Sequence, residues 1–405
     1  MNVLILGKDP SFFHAQGRPG SDTRARHMEY ARVLWQATGG KSTVRIISYT
    51  PRSKVYREEK LDWGLTLYPT RSMHKAIFLA DLLIALPRVL RGWRPNLVTV
   101  QKPWEEGVVG YLLSRLTGSR FLPQIHFDLF AEEWLVQKRL NRWRRWVSFR
   151  ILKRADGIRV VSSSLKKDLT AALRIPAENI AVIPVGVEPP LLPPGFSKED
   201  RKAGIHPDLT GHPLVIYVGR FHPEKNLDLW IEVARKVMLR VPTARFAMAG
   251  SGPEWETVRS ALQSGAHAER FHLVGSVGRD RIYEFYAAAD VFLLTSTFEG
   301  FGRAVLESML SGVPVVATDC AGPMDLIRDG ETGFIQKKGD AAGLGGAVAD
   351  LLLNPEFAAR MGNEGRKVAE ASFGRERLIT DLVKEWLDVA GFGGNNGNFH
   401  EPIAV

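Results

Sequence analysis

The 405-residue sequence predicts an α/β fold made of two doubly wound, Rossmann-like domains that face a central cleft. Short runs of Val, Ile and Leu alternate with longer segments in which apolar residues recur at helical spacing. This alternation is typical of β-α units around a parallel sheet that is covered on both faces. It occurs in two series with a Pro-rich stretch between them, which predicts two domains rather than one.

The first series contains six apolar runs that predict buried strands, because each run is short and rich in Val, Ile or Leu. The runs are residues 3–6, 44–48, 97–100, 121–125, 157–161 and 180–183. Helical patterns lie between most of them. Residues 1–186 therefore form the predicted N-terminal domain.

The stretch that follows, residues 187–212, contains two Pro-Pro pairs and several charged residues, so it predicts a linker. The second series of strands is predicted at residues 214–218, 245–249, 271–274, 291–294 and 314–317, within a C-terminal domain over 213–374. Residues 375–390 predict a last helix that can cross back to the first domain. Residues 391–405 are rich in Gly and Asn and predict a flexible tail.

Composition excludes several classes of protein. Apolar residues make up 45% of the chain and charged residues 24%, which is typical of a folded globular protein. The apolar start is followed at once by Lys8 and Asp9, unlike a secretory signal, and the most apolar segment, 76–90, is shorter than the ~20 residues of a spanning helix. The single cysteine, Cys320, excludes an internal disulfide. We therefore expect a cytoplasmic protein.

Charge is divided unequally along the chain. The first 200 residues hold 32 Lys and Arg against 18 Asp and Glu, a net charge of +14, and the remainder has a net charge of −4. A basic half suits nucleic acid, an anionic membrane surface or phosphorylated substrates, and charge alone leaves the three open.

The most informative segment joins a predicted strand to a predicted helix through a Gly-rich turn, residues 295–307. This arrangement directs backbone N–H groups of the helix start towards a ligand. Glu299 lies on the turn and Glu307 about one and a half helical turns beyond it. Paired carboxylates suit the vicinal hydroxyls of a sugar or ribose, because each has two acceptor oxygens. The simpler interpretation is a favourable acid at a helix start and a solvated Glu307.

A second cluster follows the first strand of the second series. Gly219 and Arg220 come directly after this strand, and Lys225 follows five residues later. Arg220 offers a planar fork and Lys225 a point charge, which together suit a diphosphate. A basic loop that ends in the helix cap Asn226 is the alternative.

These segments, in this order, resemble glycosyltransferase family 4, whose members have the GT-B fold and retain the anomeric configuration. The resemblance covers nearly all of the second half. Its motifs are Gly219-Arg220 with Lys225, Gly250-Ser251-Gly252, Ala289-Asp290, Glu299-Gly300-Phe301-Gly302 with Glu307, and Gly312-Val313-Pro314. The resemblance implies a nucleotide-sugar donor bound by the C-terminal domain, an acceptor-binding N-terminal domain, and no metal or other cofactor.

The same resemblance implies a role for each matching residue. Arg220 and Lys225 would neutralise the donor diphosphate, and Glu299 would hold hydroxyls of the donor sugar. Glu307 would hold the ribose. The remaining implied donor contacts are backbone groups of Gly219, Val277, Phe301 and Gly302.

The first half matches the family at fewer positions. His126 ends a predicted strand and looks like the family's catalytic histidine, which contacts the donor sugar; a strand-end histidine with a purely structural role is the alternative. Asp128 is a candidate for orienting His126 or for binding the acceptor. Gly17 and Gly20 fall where the family has a glycine-rich loop for phosphate or acceptor, although Arg18 and Pro19 separate them here.

Residues 134–154 predict a basic amphipathic helix. Val136, Leu140, Trp143, Val147 and Ile151 form a stripe at helical spacing that we expect to pack on the sheet. The other face is basic and aromatic, and it suits either solvent or the anionic inner surface of the plasma membrane.

Three functions follow from the sequence. The first is a retaining, metal-independent hexosyltransferase that uses a UDP- or GDP-type donor and a glycan or lipid-linked acceptor, in cell-surface polysaccharide or glycolipid assembly, with no nucleic acid partner. The second is a sugar-nucleotide epimerase of the same fold, and the third an inactive nucleotide-sugar-binding scaffold. The spacing of Glu299 and Glu307 argues against the epimerase. The joint presence of five candidate residues argues against the scaffold: His126, Arg220, Lys225, Glu299 and Glu307.

Overall fold

The computed structural model describes residues 1–13, 23–50, 57–72, 74, 77–188, 192–265 and 267–393. The chain forms two compact units. The first comprises residues 1–130, 135–184 and 376 onwards, and the second comprises residues 131–134 and 185–375.

The first unit contains an eight-stranded sheet in the order β3-β4-β2-β1-β5-β6-β7-β8. Its strands are β1 (Asn2–Gly7), β2 (Thr43–Ser48), β3 (Glu59–Lys60), β4 (Leu65–Pro69), β5 (Leu97–Val100), β6 (Arg120–Ile125), β7 (Ile158–Val160) and β8 (Ile180–Val182). The short edge strand β3 pairs antiparallel with β4, whereas the other described pairings are parallel. The central strands are buried because helices cover them.

The helices of the first half follow the strands in alternation. They are α1 (Thr23–Ala37), α2 (Phe78–Leu90), α3 (Glu105–Thr117), α4 (Glu132–Gln137), α5 (Arg139–Leu152) and α6 (Ser163–Leu173). Apolar residues of α2, α3 and α5 share one core cluster with the sheet. The C-terminal helix α15 (Arg375–Val389) belongs mostly to this unit, and its Trp386 ring contacts the Tyr30 ring at 5.7 Å.

The second unit contains a six-stranded parallel sheet in the order β11-β10-β9-β12-β13-β14. Its strands are β9 (Leu214–Val218), β10 (Arg245–Ala249), β11 (Phe271–Gly275), β12 (Val291–Leu294), β13 (Val315–Thr318) and β14 (Gly333–Gln336). Its helices are α7 (Lys198–Ile205), α8 (Leu227–Arg240), α9 (Trp255–Gln263), α10 (Arg279–Ala287), α11 (Arg303–Leu310), α12 (Ala321–Leu326), α13 (Ala341–Leu353) and α14 (Pro355–Phe373).

The predicted fold class is confirmed, and each predicted strand is present. Strands β3, β4 and β14 were not predicted, because they are short or interrupted by polar residues. Helix α7 inside the Pro-rich stretch was not predicted either. There Ser197 and Asp200 form a capping box, which starts a helix despite the surrounding prolines.

The predicted apolar stripe of residues 134–154 is wrong in its first half. Val136, Leu140 and Trp143 are 74%, 48% and 45% exposed rather than packed on the sheet. For Val136 the cause is a break at Lys138, whose extended backbone separates α4 from α5. Within α5 the buried stripe is rotated relative to the predicted one, so that Leu140 and Trp143 lie at its exposed edge. Its buried residues are Asn141, Val147, Ser148, Ile151 and Leu152.

No helix among the described residues combines the length and the apolar character needed to cross a bilayer.

Two glycines of the second unit allow neighbouring loops to touch. A Cβ atom on Gly250 would overlap the carbonyl oxygen of Gly219, and one on Gly252 would overlap that of Phe221. Gly250 also has a φ of 146°, which side-chain-bearing residues rarely adopt. The N–H of Phe221 donates to the Ser251 carbonyl at 2.9 Å across this contact. The loop after β10 therefore supports the loop after β9.

We predict that Gly250→Ala lowers the free energy of unfolding by about 2 kcal/mol or more, because the new methyl group forces the two loops apart. The measurement is urea denaturation. Gly346→Ala is the matched control, because it lies in α13 and no neighbouring atom of the described residues comes within 4 Å of its added Cβ. It should stabilise the protein by up to about 1 kcal/mol. Equal effects of the two substitutions would contradict the proposed loop contact.

Candidate active site

The candidate site lies at the topological switch point of the second sheet. Strands β9, β10 and β11 extend to one side and β12, β13 and β14 to the other, so the chain reverses its direction of travel between β9 and β12. Ligands of doubly wound sheets bind outside the carboxyl ends of the strands at such a point. The loops that leave these two strands carry Lys225 and Glu299.

An ion pair joins the two loops. The Lys225 ammonium group contacts a carboxylate oxygen of Glu299, and their side chains are 14% and 20% exposed. The partial burial strengthens the attraction, because less water screens it. The residual exposure leaves both groups open to a ligand. The two residues that the sequence analysis assigned to diphosphate and sugar therefore lie side by side.

Hydrogen bonds to the β9 loop fix one side of the Glu299 loop. The Thr295 hydroxyl donates to the carbonyls of Lys225 and Asn226 at 3.0 and 3.1 Å. The Thr297 N–H donates to the Glu224 carbonyl at 2.8 Å. Two neighbouring loops are thus held together by backbone groups as well as by the ion pair.

The other side of this loop is held by the last residue of β13 and by residues that follow this strand. The Thr318 hydroxyl and the Cys320 thiol both donate to the Ser296 carbonyl, at 2.7 and 3.1 Å. Burial raises the pKa of the Cys320 thiol to about 11, so the thiol stays protonated and can donate. The Gly322 N–H donates to the Glu299 carbonyl at 3.0 Å.

The turn that follows Glu299 opens helix α11. Phe301 is buried, and Gly302 precedes the helix in a left-handed conformation with a φ of 86°. Gly322 packs directly on the Phe301 backbone, where a side chain would not fit. The turn therefore presents the first N–H groups of α11 from a fixed position.

Glu307 lies in α11, at the predicted distance from the turn, and is mostly buried. One carboxylate oxygen accepts a hydrogen bond from Arg303 Nε at 2.8 Å, and the other accepts one from the Tyr286 hydroxyl at 3.1 Å. Burial and the negative charge of Glu307 raise the pKa of Tyr286 well above its usual value, so its hydroxyl remains a donor. These bonds orient the carboxylate.

The loop after β9 also positions Arg220. The guanidinium group is largely exposed and donates to the buried Glu224 carboxylate at 2.7 Å, and His222 contacts the same carboxylate. The Tyr217 hydroxyl donates to the Arg220 carbonyl at 2.8 Å and lies where a Cβ on Gly219 would be. Gly219 is thus required for close packing.

Val277 follows β11, next to the loop of Gly250. The Gly250 N–H donates to the Gly275 carbonyl at 2.7 Å, and the Ser276 hydroxyl donates to that of Ser251 at 3.0 Å. The predicted donor residues of the second unit, from Gly219 to Glu307, therefore lie on loops and a helix at one edge of one sheet. This edge combines cations, carboxylates and a helix start, which suits a ligand with phosphate and hydroxyl groups.

In the first unit, His126 directly follows β6, as predicted, and is half-buried. Burial lowers the pKa of its imidazole well below the usual 6.5, and the positive charges of Arg159 and Arg26 lower it further. The imidazole is therefore neutral at ordinary pH.

The buried Arg159 guanidinium group donates to the carbonyls of Ile183 and Pro184 at 2.8 and 2.9 Å and to the Gln124 side chain at 2.6 Å. These bonds fix a positive charge among the ends of the strands next to His126.

The other site residues predicted in the first half are Asp128, Gly17 and Gly20. Asp128 accepts a hydrogen bond from the Phe130 N–H at 2.8 Å, which shapes the loop after β6. Gly17 and Gly20 lie outside the described residues.

Sequence reasoning missed the residues that support the site. Tyr286, Tyr217, Thr295 and Cys320 act through tertiary contacts that no local pattern reveals. Arg303 is different, because its spacing of four residues from Glu307 on one helix could have revealed the pair.

Comparison with known families gives one match in each half of the chain. The family model described as glycosyl transferases group 1 matches residues 198–368, and the model described as glycosyltransferase family 4 matches residues 38–190.

Two enzymes illustrate the similarity to characterised relatives. Sulfoquinovosyl transferase SQD2 of Arabidopsis thaliana is 32% identical over 250 residues, which cover 61% of this chain and 46% of that enzyme. The 2-deoxystreptamine N-acetyl-D-glucosaminyltransferase of Streptomyces fradiae is 27% identical over 288 residues, which cover 69% of this chain and 68% of that enzyme. The chain thus matches less than half the length of the plant enzyme.

Solved structures share the fold. Sucrose-phosphate synthase from Thermosynechococcus elongatus aligns with a TM-score of 0.80 at 20% identity, covering 96% of this chain and 99% of that one. Anabaena HepE, in complex with UDP and glucose, aligns with a TM-score of 0.71 at 18% identity, with coverage of 96% and 99%.

We predict that His126 makes the protein less stable in acid. Its pKa is lower when folded than the 6.5 of the unfolded chain, so below about pH 6.5 the unfolded state binds the extra proton and stability falls. The loss from this one group is at most about 1.4 kcal/mol per pH unit. Urea denaturation at pH 7.5 and 5.5 measures it. His126→Asn should lose less stability over this interval than the wild type, and an equal loss would contradict the assignment.

Proposed function

Because the chain belongs to the family 4 type of glycosyltransferases with the GT-B fold, we propose that it transfers a hexose-type sugar from a UDP- or GDP-type donor to a hydroxyl of a glycan or lipid-linked acceptor. The observation on which the proposal depends is the Lys225–Glu299 ion pair at the switch point of the second sheet. A cation for phosphate and a carboxylate for sugar hydroxyls meet there.

The donor contacts in this proposal follow the geometry of the second unit. Lys225 and the exposed Arg220 bind the diphosphate, and the N–H groups at the start of α11 add hydrogen-bond donors. Glu299 accepts hydrogen bonds from the donor sugar. Glu307, held by Tyr286 and Arg303, accepts those of the ribose.

The transfer step that we propose retains the anomeric configuration. The acceptor hydroxyl attacks the anomeric carbon from the face that the phosphate leaves. The new C–O bond forms as the bond to the phosphate oxygen breaks, and the departing phosphate accepts the hydroxyl proton. Lys225 and Arg220 stabilise the negative charge on the leaving diphosphate, a role that a metal ion has in other enzymes.

We propose a catalytic role for His126 in the same reaction. Positive charge develops on the sugar ring as the phosphate leaves, and a protonated imidazole would repel it. The lowered pKa supports the proposal, because a neutral imidazole, or the carbonyl beside it, can stabilise this charge.

Two further relatives, 30% and 31% identical to this chain over 224 and 175 residues, support a glycan or lipid-linked acceptor. One is a phosphatidylinositol monomannoside mannosyltransferase of Mycolicibacterium smegmatis, and another a lipopolysaccharide core glycosyltransferase of Rhizobium meliloti. We propose that this chain acts in the assembly of a cell-surface polysaccharide or glycolipid.

We further propose that the enzyme works in the cytoplasm on the inner face of the plasma membrane. Helices α2, α3 and α5 cover one face of the first sheet, and each exposes large apolar side chains on its outer side. These are Leu83, Ile84, Leu112, Leu116, Leu140, Trp143 and Trp146, and Val136 of α4 adds to them. We call these residues the apolar face.

Exposed arginines and lysines lie on the same helices as the apolar face. Arg139, Arg142, Arg150 and Lys153 belong to α5 or its end, and the Arg150 guanidinium lies 4.6 Å from the centre of a Trp146 ring. In solution, a protein surface of this kind leaves much apolar area in contact with water. Tryptophan beside arginine suits the boundary between anionic lipid headgroups and acyl chains. The charge therefore favours an anionic membrane as the partner.

We predict that Lys225→Ala and Glu299→Ala each reduce sugar transfer at least about 100-fold, because the first removes charge from the leaving group and the second removes a sugar contact. Nucleotide release from UDP- and GDP-sugars in the presence of a glycolipid extract measures transfer. Lys236→Ala, an exposed lysine on α8, is the control and should keep full activity. Undiminished turnover by either site variant, with an unchanged circular dichroism spectrum, would refute the assignment.

We predict that the protein cosediments with vesicles of phosphatidylglycerol and phosphatidylcholine but not with phosphatidylcholine alone. Each basic residue near an anionic surface contributes about 1 kcal/mol, so Arg139→Gln with Arg142→Gln should weaken binding roughly 30-fold. Trp143→Ser with Trp146→Ser should also weaken it. The control is Leu239→Ser, which removes an exposed leucine from α8 of the second unit. Equal binding to both kinds of vesicle would exclude the apolar face as the membrane-binding surface. An equal loss of binding in Leu239→Ser would exclude it too.

A further inference from the structure

The second unit contains a group of side chains of the types that bind metal ions, at the opposite side of the sheet from the donor residues. His206, Asp208 and His272 each provide one ligand atom, and these three atoms all lie within 4.8 Å of one another. His272 is the second residue of β11, and the segment of His206 and Asp208 precedes β9. All three therefore lie at the amino-terminal side of a parallel sheet whose donor residues follow the carboxyl ends.

Local structure holds His206 and Asp208 in one arrangement. Helix α7 ends at Ile205, and His206 then adopts an extended backbone that starts a short 3-10 turn, Pro207–Leu209. The Asp208 N–H donates to His206 Nδ1 at 3.3 Å, and the Asp208 carboxylate lies 3.5 Å from the same nitrogen. Leu209 is fully buried and anchors the turn.

His272 comes from the edge strand of the sheet and meets this turn. Its ring centre lies 4.4 Å from that of His206, with 38° between the ring planes. Its Nε2 atom is buried and has no hydrogen-bond partner within the described part of the chain. A buried imidazole nitrogen without a partner is costly, and a bound cation would satisfy it.

Two imidazoles and one carboxylate are a common ligand set for zinc. Zinc binds these groups at about 2.0–2.2 Å, which places tetrahedral ligand atoms about 3.4 Å apart. Small side-chain rotations bring three atoms that already lie within 4.8 Å to this spacing. Soft thiolate ligands are not needed, and the fourth position is open to water because His206 and Asp208 are exposed.

We propose that His206, Asp208 and His272 bind a zinc ion that fastens the segment of α7 and its following turn to the edge strand β11. The ion would close a loop of about 65 residues, which restricts the unfolded chain more than the folded one. The site has no part in the transfer step, which we expect to need no metal. Its consequence is a second unit that is more stable with zinc.

The test uses the full chain, freed of metal with a chelator. Isothermal titration should show that one Zn²⁺ ion binds per chain. Thermal unfolding should show a higher melting temperature with Zn²⁺ than without it. Co²⁺ should give the visible absorption of a tetrahedral site. His206→Ala and His272→Ala should each weaken binding at least about tenfold. His267→Asn is the control, because it removes an exposed histidine just before β11 while asparagine tolerates its left-handed backbone.

We expect His206→Ala and His272→Ala to bind Zn²⁺ more weakly than the wild type, and His267→Asn to bind it equally well. Failure of Zn²⁺ to bind at micromolar concentration would overturn the proposal, as would binding of equal strength in His206→Ala. If His272→Ala does not fold, His206→Ala decides the test, because its exposed side chain can be removed with less disturbance. Sugar transfer is measured separately, since loss of the zinc site should leave it unchanged at temperatures below unfolding.

Discussion

The second unit is organised around the ion pair between Lys225 and Glu299. Their side chains come from loops that leave β9 and β12, the two strands between which the sheet changes direction. Loss of either partner would leave a partly buried charge without compensation, which is costly. The pair therefore joins the loops that leave the two halves of the sheet, and it also holds a cation and a carboxylate in position for a ligand. A donor that binds both groups replaces the ion pair with two interactions, one between Lys225 and the diphosphate and one between Glu299 and the sugar hydroxyls.

The surrounding structure keeps this pair in place through close backbone contacts rather than bulky side chains. Gly250 lets the loop after β10 approach Gly219, and Gly322 lets α12 approach the turn of Phe301. Donors after β13 then fix the Ser296 carbonyl. Rigid loops of this kind lose little conformational freedom when a ligand binds. In the first unit, burial lowers the pKa of His126, and the fixed positive charge of Arg159 lowers it further, which keeps the imidazole neutral.

Local patterns were sufficient to predict the two-sheet fold, because buried parallel strands are continuous apolar runs. The glycosyltransferase class followed instead from the family resemblance of the second half, and family models match both halves of the chain. The positions of Lys225, Glu299 and Glu307 also followed from their places after strands and in a helix. The support from Tyr286 and Cys320 did not, because it joins residues far apart in sequence. The burial of α5 was predicted only in part, because its buried side includes the polar residues Asn141 and Ser148, which an apolar pattern does not reveal. Assignments of the donor, the acceptor and the role of His126 stay predictions.

A decisive measurement is thermal unfolding with UDP, GDP, ADP, CMP and their common sugar conjugates, for the wild type and for Lys225→Ala. A ligand at one hundred times its dissociation constant stabilises by about 2.7 kcal/mol, which raises the melting temperature by several degrees. We predict that one nucleotide diphosphate series stabilises the wild type, that an attached sugar increases the effect, and that Lys225→Ala loses it. No stabilisation by any of these ligands, or an equal shift in Lys225→Ala, would contradict a donor site at the Lys225–Glu299 pair.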